Sequence, residues 1–147
     1  MMSLIHRSDL VPDSKAIAEL YDAAKLRRPT SDLARLKRMF QGSNVVLTVW
    51  EERDKSGGLR LVALLRGWTD YAYDGYVCDL AVHPDFQKLG LGKDLLERVQ
   101  SLGRPDVQWV LQASVIAGHY YEHIGWQKIE NGWKLPRESY AHPGDPA

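Results

Sequence analysis

The sequence predicts an α/β domain with a mixed, mostly antiparallel sheet, a central parallel strand pair and about four helices. Two observations lead to this class. Apolar residues follow a helical spacing up to Gly42 and a strand-like spacing from Val45 to Val82. In addition, an apolar strand runs into a glycine loop that opens a helix, and another strand follows that helix. Strands joined in this way are parallel neighbours connected by a right-handed crossover.

The N-terminal third is predicted to contain one short strand and two helices. Residues 2–7 form the strand. Residues 13–26 form the first helix, because four apolar residues fall at positions i, i+3, i+4 and i+7: Ile17, Leu20, Tyr21 and Ala24. The second helix follows the start signal Thr30-Ser31-Asp32 and ends near Gly42.

The remainder of the chain is predicted to be rich in strands. Four strands are expected, over residues 45–50, 59–68, 75–82 and 107–113, with a turn over 54–58. Two helices are expected, over residues 92–102 and 117–124. Asn131-Gly132 is a strong signal for a two-residue turn, which predicts a hairpin of strands 126–129 and 133–135.

Length, charge and cysteine content limit the functional classes. A chain of 147 residues fits one domain, expected over residues 1–136 with a loosely held tail over 137–147. Lys plus Arg equal Asp plus Glu at 19 each, which gives no reason to expect a nucleic-acid or membrane partner. With one cysteine, no apolar leader and no apolar run of about 20 residues, a cytoplasmic protein is expected.

The most informative segment is the loop Gln87-Lys88-Leu89-Gly90-Leu91-Gly92, followed by Lys93. The first N–H groups of a helix have no acceptor within it, so a glycine-rich helix start can bind phosphate. Two other phosphate motifs fail at this place. A P-loop requires Ser or Thr where Asp94 stands, and a dinucleotide fingerprint requires a third glycine where Leu95 stands.

The loop instead is similar to the cofactor-binding motif Q/R-x-x-G-x-G/A of the GCN5-related N-acetyltransferase (GNAT) superfamily. A second motif, Tyr120-Tyr121-Glu122-His123-Ile124-Gly125-Trp126, resembles the family's F-Y-E-K-L-G-F. The family commonly has glycine at the position of Lys88 and a basic residue at that of Leu89. The resemblance implies a GNAT fold and an N-acetyltransferase that moves an acetyl group from acetyl-CoA to a primary amine by direct attack in a ternary complex.

The resemblance also implies where acetyl-CoA binds. The cofactor lies in a V-shaped gap between residues 80–82 and residues 111–114, and its pantetheine arm pairs with the backbone near Leu80 and Val82. Its pyrophosphate lies on the glycine loop. The residues implied in cofactor binding are Leu80, Ala81, Val82, Gln87, Lys88, Leu89, Gly90, Leu91, Gly92, Lys93 and Ser114.

Two residues are candidates for the proton transfers. Tyr121 stands at the family's usual general-acid position, where it would protonate the leaving thiolate; alternatively it only packs on the cofactor. Asp79 lies within an apolar strand, where an unpaired carboxylate would be costly. It is therefore either a base that acts through water or a structural acceptor bonded to backbone N–H groups, and the structural role is favoured. No metal ion is expected.

The acceptor amine is expected near the loop of residues 68–74, which is rich in aromatic and acidic residues. The candidates for binding it are Trp68, Asp70, Tyr73 and Tyr76. Aromatic and carboxylate groups suit a cationic amine with an apolar body, although these rings could simply pack on the first helix. Histone-modifying relatives carry Glu where Tyr76 stands, so a small-molecule amine is favoured over a protein substrate.

Three other possibilities remain. A GNAT-fold module could bind acyl-CoA without turnover, as a sensor or a partner-binding subunit. His119-Tyr120-Tyr121-Glu122-His123 also matches the H-x-x-E-H signature of zinc peptidases. Finally, Trp126, Trp133 and the tail could form the interface of a homodimer.

Overall fold

A computed structural model of the chain describes residues 3–53, 58–114 and 117–138. These ranges contain the strands β1 Leu4–Arg7, β2 Val45–Arg53, β3 Gly58–Thr69, β4 Asp74–Val82 and β5 Gln108–Leu111. They also contain the helices α1 Ser14–Ala23, α2 Leu33–Gln41, α3 Leu91–Gln100 and α4 Gly118–His123, and a 3₁₀ helix, Pro84–Leu89. None of the helices in these ranges has the length and apolar content needed to cross a bilayer.

The strands form one sheet in the order β1-β2-β3-β4-β5. Neighbouring strands are antiparallel except β4 and β5, which are parallel from Asp74↔Gln108 to Val77↔Leu111. Helix α3 connects these two strands, as the sequence predicts. The predicted fold class, a mixed sheet with a parallel strand pair and flanking helices, is confirmed.

The first two helices begin where the sequence predicts because each has an aspartate cap. The Asp13 side chain accepts from Ala16 N at 2.8 Å, and the Asp32 side chain accepts from Arg35 N at 3.0 Å. Helix α1 ends at Ala23, before the predicted residue 26, because the chain turns through Lys25, whose φ is 58°.

Each face of the sheet has its own apolar cluster. The cluster that includes α3 contains Val45, Leu47, Val49, Val62, Ala63, Leu65, Val77, Phe86, Leu91, Leu95, Leu96 and Val99. The cluster that includes α1 and α2 contains Ile17, Ala18, Leu20, Tyr21, Leu36, Phe40, Val46, Leu61, Leu64 and Ala81. Residues of one strand divide between the two faces because side chains alternate along a strand.

A β-bulge in β4 shifts this alternation close to the end of the parallel pair. Arg66 pairs with Asp79 while Gly67 pairs with Val77, so Cys78 is the extra residue. A Cβ atom on Gly67 would clash with the Tyr76 carbonyl, which explains the glycine at this close approach. The bulge brings both Cys78 and Asp79 to the α1–α2 face, because both contact Arg66 there.

The predicted C-terminal hairpin is wrong: residues 126–138 form no strand. The chain leaves α4 through Gly125, whose φ is 95°, and Trp126 N donates to Tyr121 O at 2.9 Å. Trp133 and Leu135 are 97% and 96% exposed, and a hairpin without a further strand or an apolar face is only marginally stable in water. As a result, the parallel pair lies at one end of the described sheet and not at its centre.

Candidate active site

At one end of the sheet, β4 extends beyond its pairing with β5; we call the space beside this unpaired end of β4 the split. Their pairing stops at Val77↔Leu111, but β4 continues to Val82. The next residue, His83, donates its N–H to a carbonyl of β3 at 2.8 Å. Since backbone groups alternate in direction along a strand, those of Leu80 and Val82 point away from β3, toward the split. The open edge therefore presents backbone donors and acceptors to any extended molecule that enters.

The glycine loop lies beside this edge. The Gln87 side chain donates to the Val82 carbonyl at 3.1 Å and so ties the loop to the end of β4. Gly90 has φ of 77°, a conformation that favours glycine, and no atom lies within 4 Å of the position of an added Cβ. Helix α3 then begins at Leu91, and its first N–H groups have no acceptor within the helix. Such backbone N–H groups at a helix start are able to bind an anion.

The side chains predicted to bind the cofactor differ in their exposure. The Leu91 side chain is buried in the core, so this residue can contact a ligand at the loop only through its backbone N–H. Lys88 is exposed, Leu89 is 49% exposed, and Lys93 Nζ lies 4.0 Å from a carboxylate oxygen of Glu97. Ala81 lies near the end of β4 and is buried, whereas Ser114 lies shortly after β5 and is exposed.

Two adjacent tyrosines of α4 point in different directions. The ring of Tyr121 is partly buried and packs edge-on against Tyr120 and Trp126, with centroid distances of 5.4 and 6.0 Å. Burial raises the pKa of Tyr121 above its ordinary value, so the phenol keeps its proton at neutral pH. The Tyr120 hydroxyl lies 3.9 Å from the position of a Cβ on Gly92, at the start of α3. The sequence reasoning overlooked Tyr120, although a tyrosine replaces the motif's phenylalanine there.

Asp79 is 1% exposed, and both of its carboxylate oxygens are occupied. Arg28 Nε donates to Oδ1 at 2.6 Å, while Arg66 Nε and Tyr21 Oη donate to Oδ2 at 2.6 and 2.7 Å. Burial alone raises the pKa of Asp79, but the two arginines outweigh it and hold that pKa below its usual range. Burial and the Asp79 charge raise the pKa of Tyr21 well above the ordinary value.

These contacts favour the structural alternative for Asp79. A proton taken up by this carboxylate would remove the negative charge to which Arg28 and Arg66 both donate, which is costly. Its partners are side chains and not the backbone N–H groups that the sequence suggested. Tyr21, Arg28 and Arg66 are 58, 51 and 13 positions away from Asp79, so no local pattern indicates them.

Of the residues predicted to bind the acceptor, the structure brings two together. Trp68 and Tyr76 stack with a centroid distance of 6.1 Å and an interplanar angle of 20°, and they are 38% and 36% exposed. Asp70 serves the loop itself, because its Oδ1 accepts from three backbone N–H groups, of Ala72, Tyr73 and Asp74. Tyr73 is 73% exposed.

The H-x-x-E-H residues form no metal centre in the part of the chain that the structure describes. No group of three His, Cys, Asp or Glu side chains there is arranged to hold an ion. The second histidine, His123, is the last residue of a six-residue helix.

Comparisons with known proteins point to one family. A family described as acetyltransferase (GNAT) domain matches residues 44–128. Uncharacterized N-acetyltransferase ycf52 of Pyropia yezoensis is 26% identical over 139 residues, 88% of this chain and 77% of that protein. Serotonin N-acetyltransferase 2, chloroplastic, of Oryza sativa subsp. japonica is 33% identical over 96 residues, 65% of this chain and 46% of that protein. The chain spans less than two thirds of the length of other curated relatives.

A solved structure shares the fold. Aminoglycoside N-acetyltransferase AAC(6')-Iy, in complex with CoA, superposes with a TM-score of 0.64 at 13% identity. The superposition covers 95% of this chain and 97% of that chain. At this identity the likeness is evidence of a common fold.

Proposed function

The chain belongs to the family of GNAT acetyltransferase domains, and on that premise we propose that it transfers an acetyl group from acetyl-CoA to a small primary amine. The observation that carries this proposal is the split between β4 and β5 beside the glycine loop. An open strand edge and a phosphate cradle at its end suit a long molecule with a pyrophosphate at one end and a thioester at the other.

The residues at the split fit such a cofactor. The backbone groups of Leu80 and Val82 would hold the pantetheine arm as an added strand would be held. The N–H groups at the start of α3, reached past Gly90, would hold the pyrophosphate. Acetyl-CoA supplies the activated acetyl group when bound. This chain's contribution is to align that group with the amine, which can account for a large part of the rate.

For the departing sulfur, we assign Tyr121 as the proton donor. Its ring is fixed by Tyr120 and Trp126, and burial keeps the phenol protonated. The Tyr120 hydroxyl faces the first turn of α3, so its role is to contact the cofactor and not to donate the proton. Asp79 has no place in the proton transfers because its oxygens are occupied by Arg28, Arg66 and Tyr21, as described above.

For the acceptor, the stacked pair of Trp68 and Tyr76 supports a small amine with a flat or apolar body. Both rings lie on the α1–α2 face, and Tyr76 stands two residues before the bulge at Cys78. The names of two related proteins, a serotonin and an aminoglycoside N-acetyltransferase, also refer to small amines.

The test is a panel of amines incubated with acetyl-CoA and the purified chain, with free thiol detected over time. We expect amine-dependent thiol release, greatest for arylalkylamines, above the hydrolysis seen without amine. Calorimetry with acetyl-CoA alone tests the alternative, in which the chain binds acyl-CoA without turnover. If acetyl-CoA binds and no amine of any class releases thiol, the chain is a binding module and not an enzyme.

A further inference from the structure

The indole ring of Trp68 is held in place by three contacts. Its Nε1 donates to the Gly42 carbonyl, just after the end of α2. The Arg66 guanidinium lies 5.2 Å from the ring centroid, and the Tyr76 ring stacks on Trp68 at 6.1 Å. Because Nε1 is the one polar atom of an indole and is already engaged, the exposed part of Trp68 gives a ligand an apolar surface only.

Polar side chains close to this stack are engaged with one another. Arg66 donates to Asp79 at 2.6 Å, to the Cys78 sulfur at 2.9 Å and to Ser43 Oγ at 3.1 Å. Ser43 in turn donates to the Met39 carbonyl at 2.8 Å. The Arg66 and Asp79 side chains are 4% and 0% exposed, so a molecule on the surface of the stack contacts neither of them directly.

The Tyr76 hydroxyl differs from these groups. It forms no hydrogen bond within residues 3–53, 58–114 and 117–138, and the residue is partly exposed. Burial of the ring raises the pKa of the phenol above its ordinary value, so the hydroxyl keeps its proton at neutral pH. A protonated phenol both donates and accepts hydrogen bonds. Tyr76 therefore adds a hydrogen-bonding group to an otherwise apolar surface.

Tyr76 also lies at a suitable distance from the reacting end of the proposed cofactor site. With the pyrophosphate beyond Val82 and the pantetheine arm beside Leu80 and Val82, the thioester lies toward the start of the split, at Cys78. Tyr76 stands two residues before Cys78, which is about 7 Å along a strand. An amine that attacks the thioester and carries an ethyl chain and one aromatic ring extends over this length. The far end of its ring would then lie beside Tyr76.

We propose that Tyr76 determines acceptor specificity, because its hydroxyl binds a hydroxyl group at the far end of the acceptor's aromatic ring. This inference rests on the proposed function and narrows its acceptor to a phenolic arylalkylamine. The rings of Trp68 and Tyr76 contact the apolar body of such an amine. The Tyr76 hydroxyl then distinguishes it from the analogue that lacks the phenol. The preference is modest, because water competes for both hydroxyl groups at a partly exposed site.

The test compares tyramine with phenethylamine, which differ only in the phenol hydroxyl. In the wild type, kcat/KM for tyramine is expected to exceed that for phenethylamine about three- to tenfold, the worth of one such hydrogen bond. Tyr76→Phe keeps the stacked ring. Phenethylamine should therefore keep its kcat/KM within about twofold while the preference for tyramine disappears. The control Tyr73→Phe removes a hydroxyl from a residue that is 73% exposed and should retain the full preference.

Calorimetry with each amine in the presence of CoA measures binding without turnover, so the two proposals can fail separately. If no amine releases thiol, the proposed function is wrong. Tighter binding of tyramine that Tyr76→Phe abolishes would still support recognition by Tyr76, whereas equal binding of the two amines, or none, would overturn it as well. If the wild type is active, the role of Tyr76 is wrong when Tyr76→Phe keeps the preference, when it weakens both amines equally, or when the wild type has no preference.

Discussion

The two faces of the sheet are held to their helices by different forces. The α3 face buries an apolar cluster, with Leu95 and Leu96 fully enclosed. The α1–α2 face also has an apolar cluster, but it surrounds a charged group. The two charged residues that are buried within the described ranges, Arg66 and Asp79, both lie on it. The strands are shared, so the difference arises from the helices and from the bulge at Cys78.

The two kinds of contact respond differently to substitution. An apolar cluster loses stability in proportion to the atoms removed, and neighbours relax partly into the space. A buried ion pair loses much more when one partner is removed, because the other stays charged. The Arg66 guanidinium also contacts the ring faces of Phe40 and Trp68, at 5.5 and 5.2 Å from their centroids. The side of the sheet proposed to bind the acceptor is thus stabilised by charge, and the side proposed to bind acetyl-CoA by backbone conformation and apolar packing.

The largest effect is expected at the centre of the charged group. Asp79→Asn should lower the free energy of unfolding by about 3–5 kcal/mol, because the buried Arg66 guanidinium loses the carboxylate that it binds. The folded-state pKa of Asp79 is below its unfolded value, so its contribution is present above the unfolded pKa and lost as pH falls through the folded one. Urea unfolding between pH 7 and pH 3 measures both quantities.

The matched control for this change is Tyr21→Phe, which removes one hydrogen bond to Asp79 and keeps the charges. A loss of about 1–2 kcal/mol is expected, with the wild-type dependence on pH retained. Two results would contradict this account: an Asp79→Asn variant as stable as Tyr21→Phe, or one that still loses stability between pH 7 and pH 3 as the wild type does. Either would mean that the ion pairs of Asp79 do not stabilise the packing of α1 and α2 on the sheet.

The next largest effect is expected at the glycine loop, on the side of the sheet proposed to bind acetyl-CoA. Gly90→Glu should weaken CoA binding at least a hundredfold, about 2.7 kcal/mol, since its side chain strains a φ of 77° and its charge faces phosphate. Gly90→Gln has nearly the same size and the same strain without the charge, and about a tenfold loss is expected. Calorimetry with CoA measures both. Wild-type affinity in Gly90→Glu would remove the loop from the cofactor site.

The same contrast explains what the sequence could predict. The segment proposed to bind acetyl-CoA is contiguous: the strand, the loop from Gln87 to Gly92 and the helix follow one another, so local spacing and turn chemistry indicate them. The charged group on the α1–α2 face joins Tyr21, Arg28 and Asp79 across more than 50 positions, so no window along the chain contains it. The hairpin around Asn131-Gly132 was predicted wrongly for a related reason. The Asn-Gly pair predicts only a local turn. Whether the flanking residues form strands depends on a neighbouring strand or apolar surface to pair with, which lies elsewhere in the sequence.

A smaller effect separates the two tyrosines of α4. Tyr121→Phe is expected to lower kcat about tenfold or more and leave the KM for acetyl-CoA within about twofold, because a proton donor is lost. Tyr120→Phe is expected to leave kcat unchanged and raise that KM a few-fold, the loss of about one hydrogen bond. Steady-state kinetics at saturating amine distinguish them. The reverse pattern would exchange their roles.

The smallest effect is expected at an exposed side chain, which takes part neither in an apolar cluster nor in a buried ion pair. Trp133 is 97% exposed, so Trp133→Ser should change the free energy of unfolding by no more than about 0.5 kcal/mol. Trp109 in β5 is the matched control, since it packs against the α3-face cluster and its ring would meet a Cβ placed on Gly75. Trp109→Ser should cost about 3 kcal/mol or more, in the range of large core truncations. A loss above 1 kcal/mol for Trp133→Ser would mean that residues 126–138 pack against an apolar surface, as a strand beside β5 or against a second copy of the chain. The parallel pair would then lie inside a wider sheet, with its open edge confined to the split.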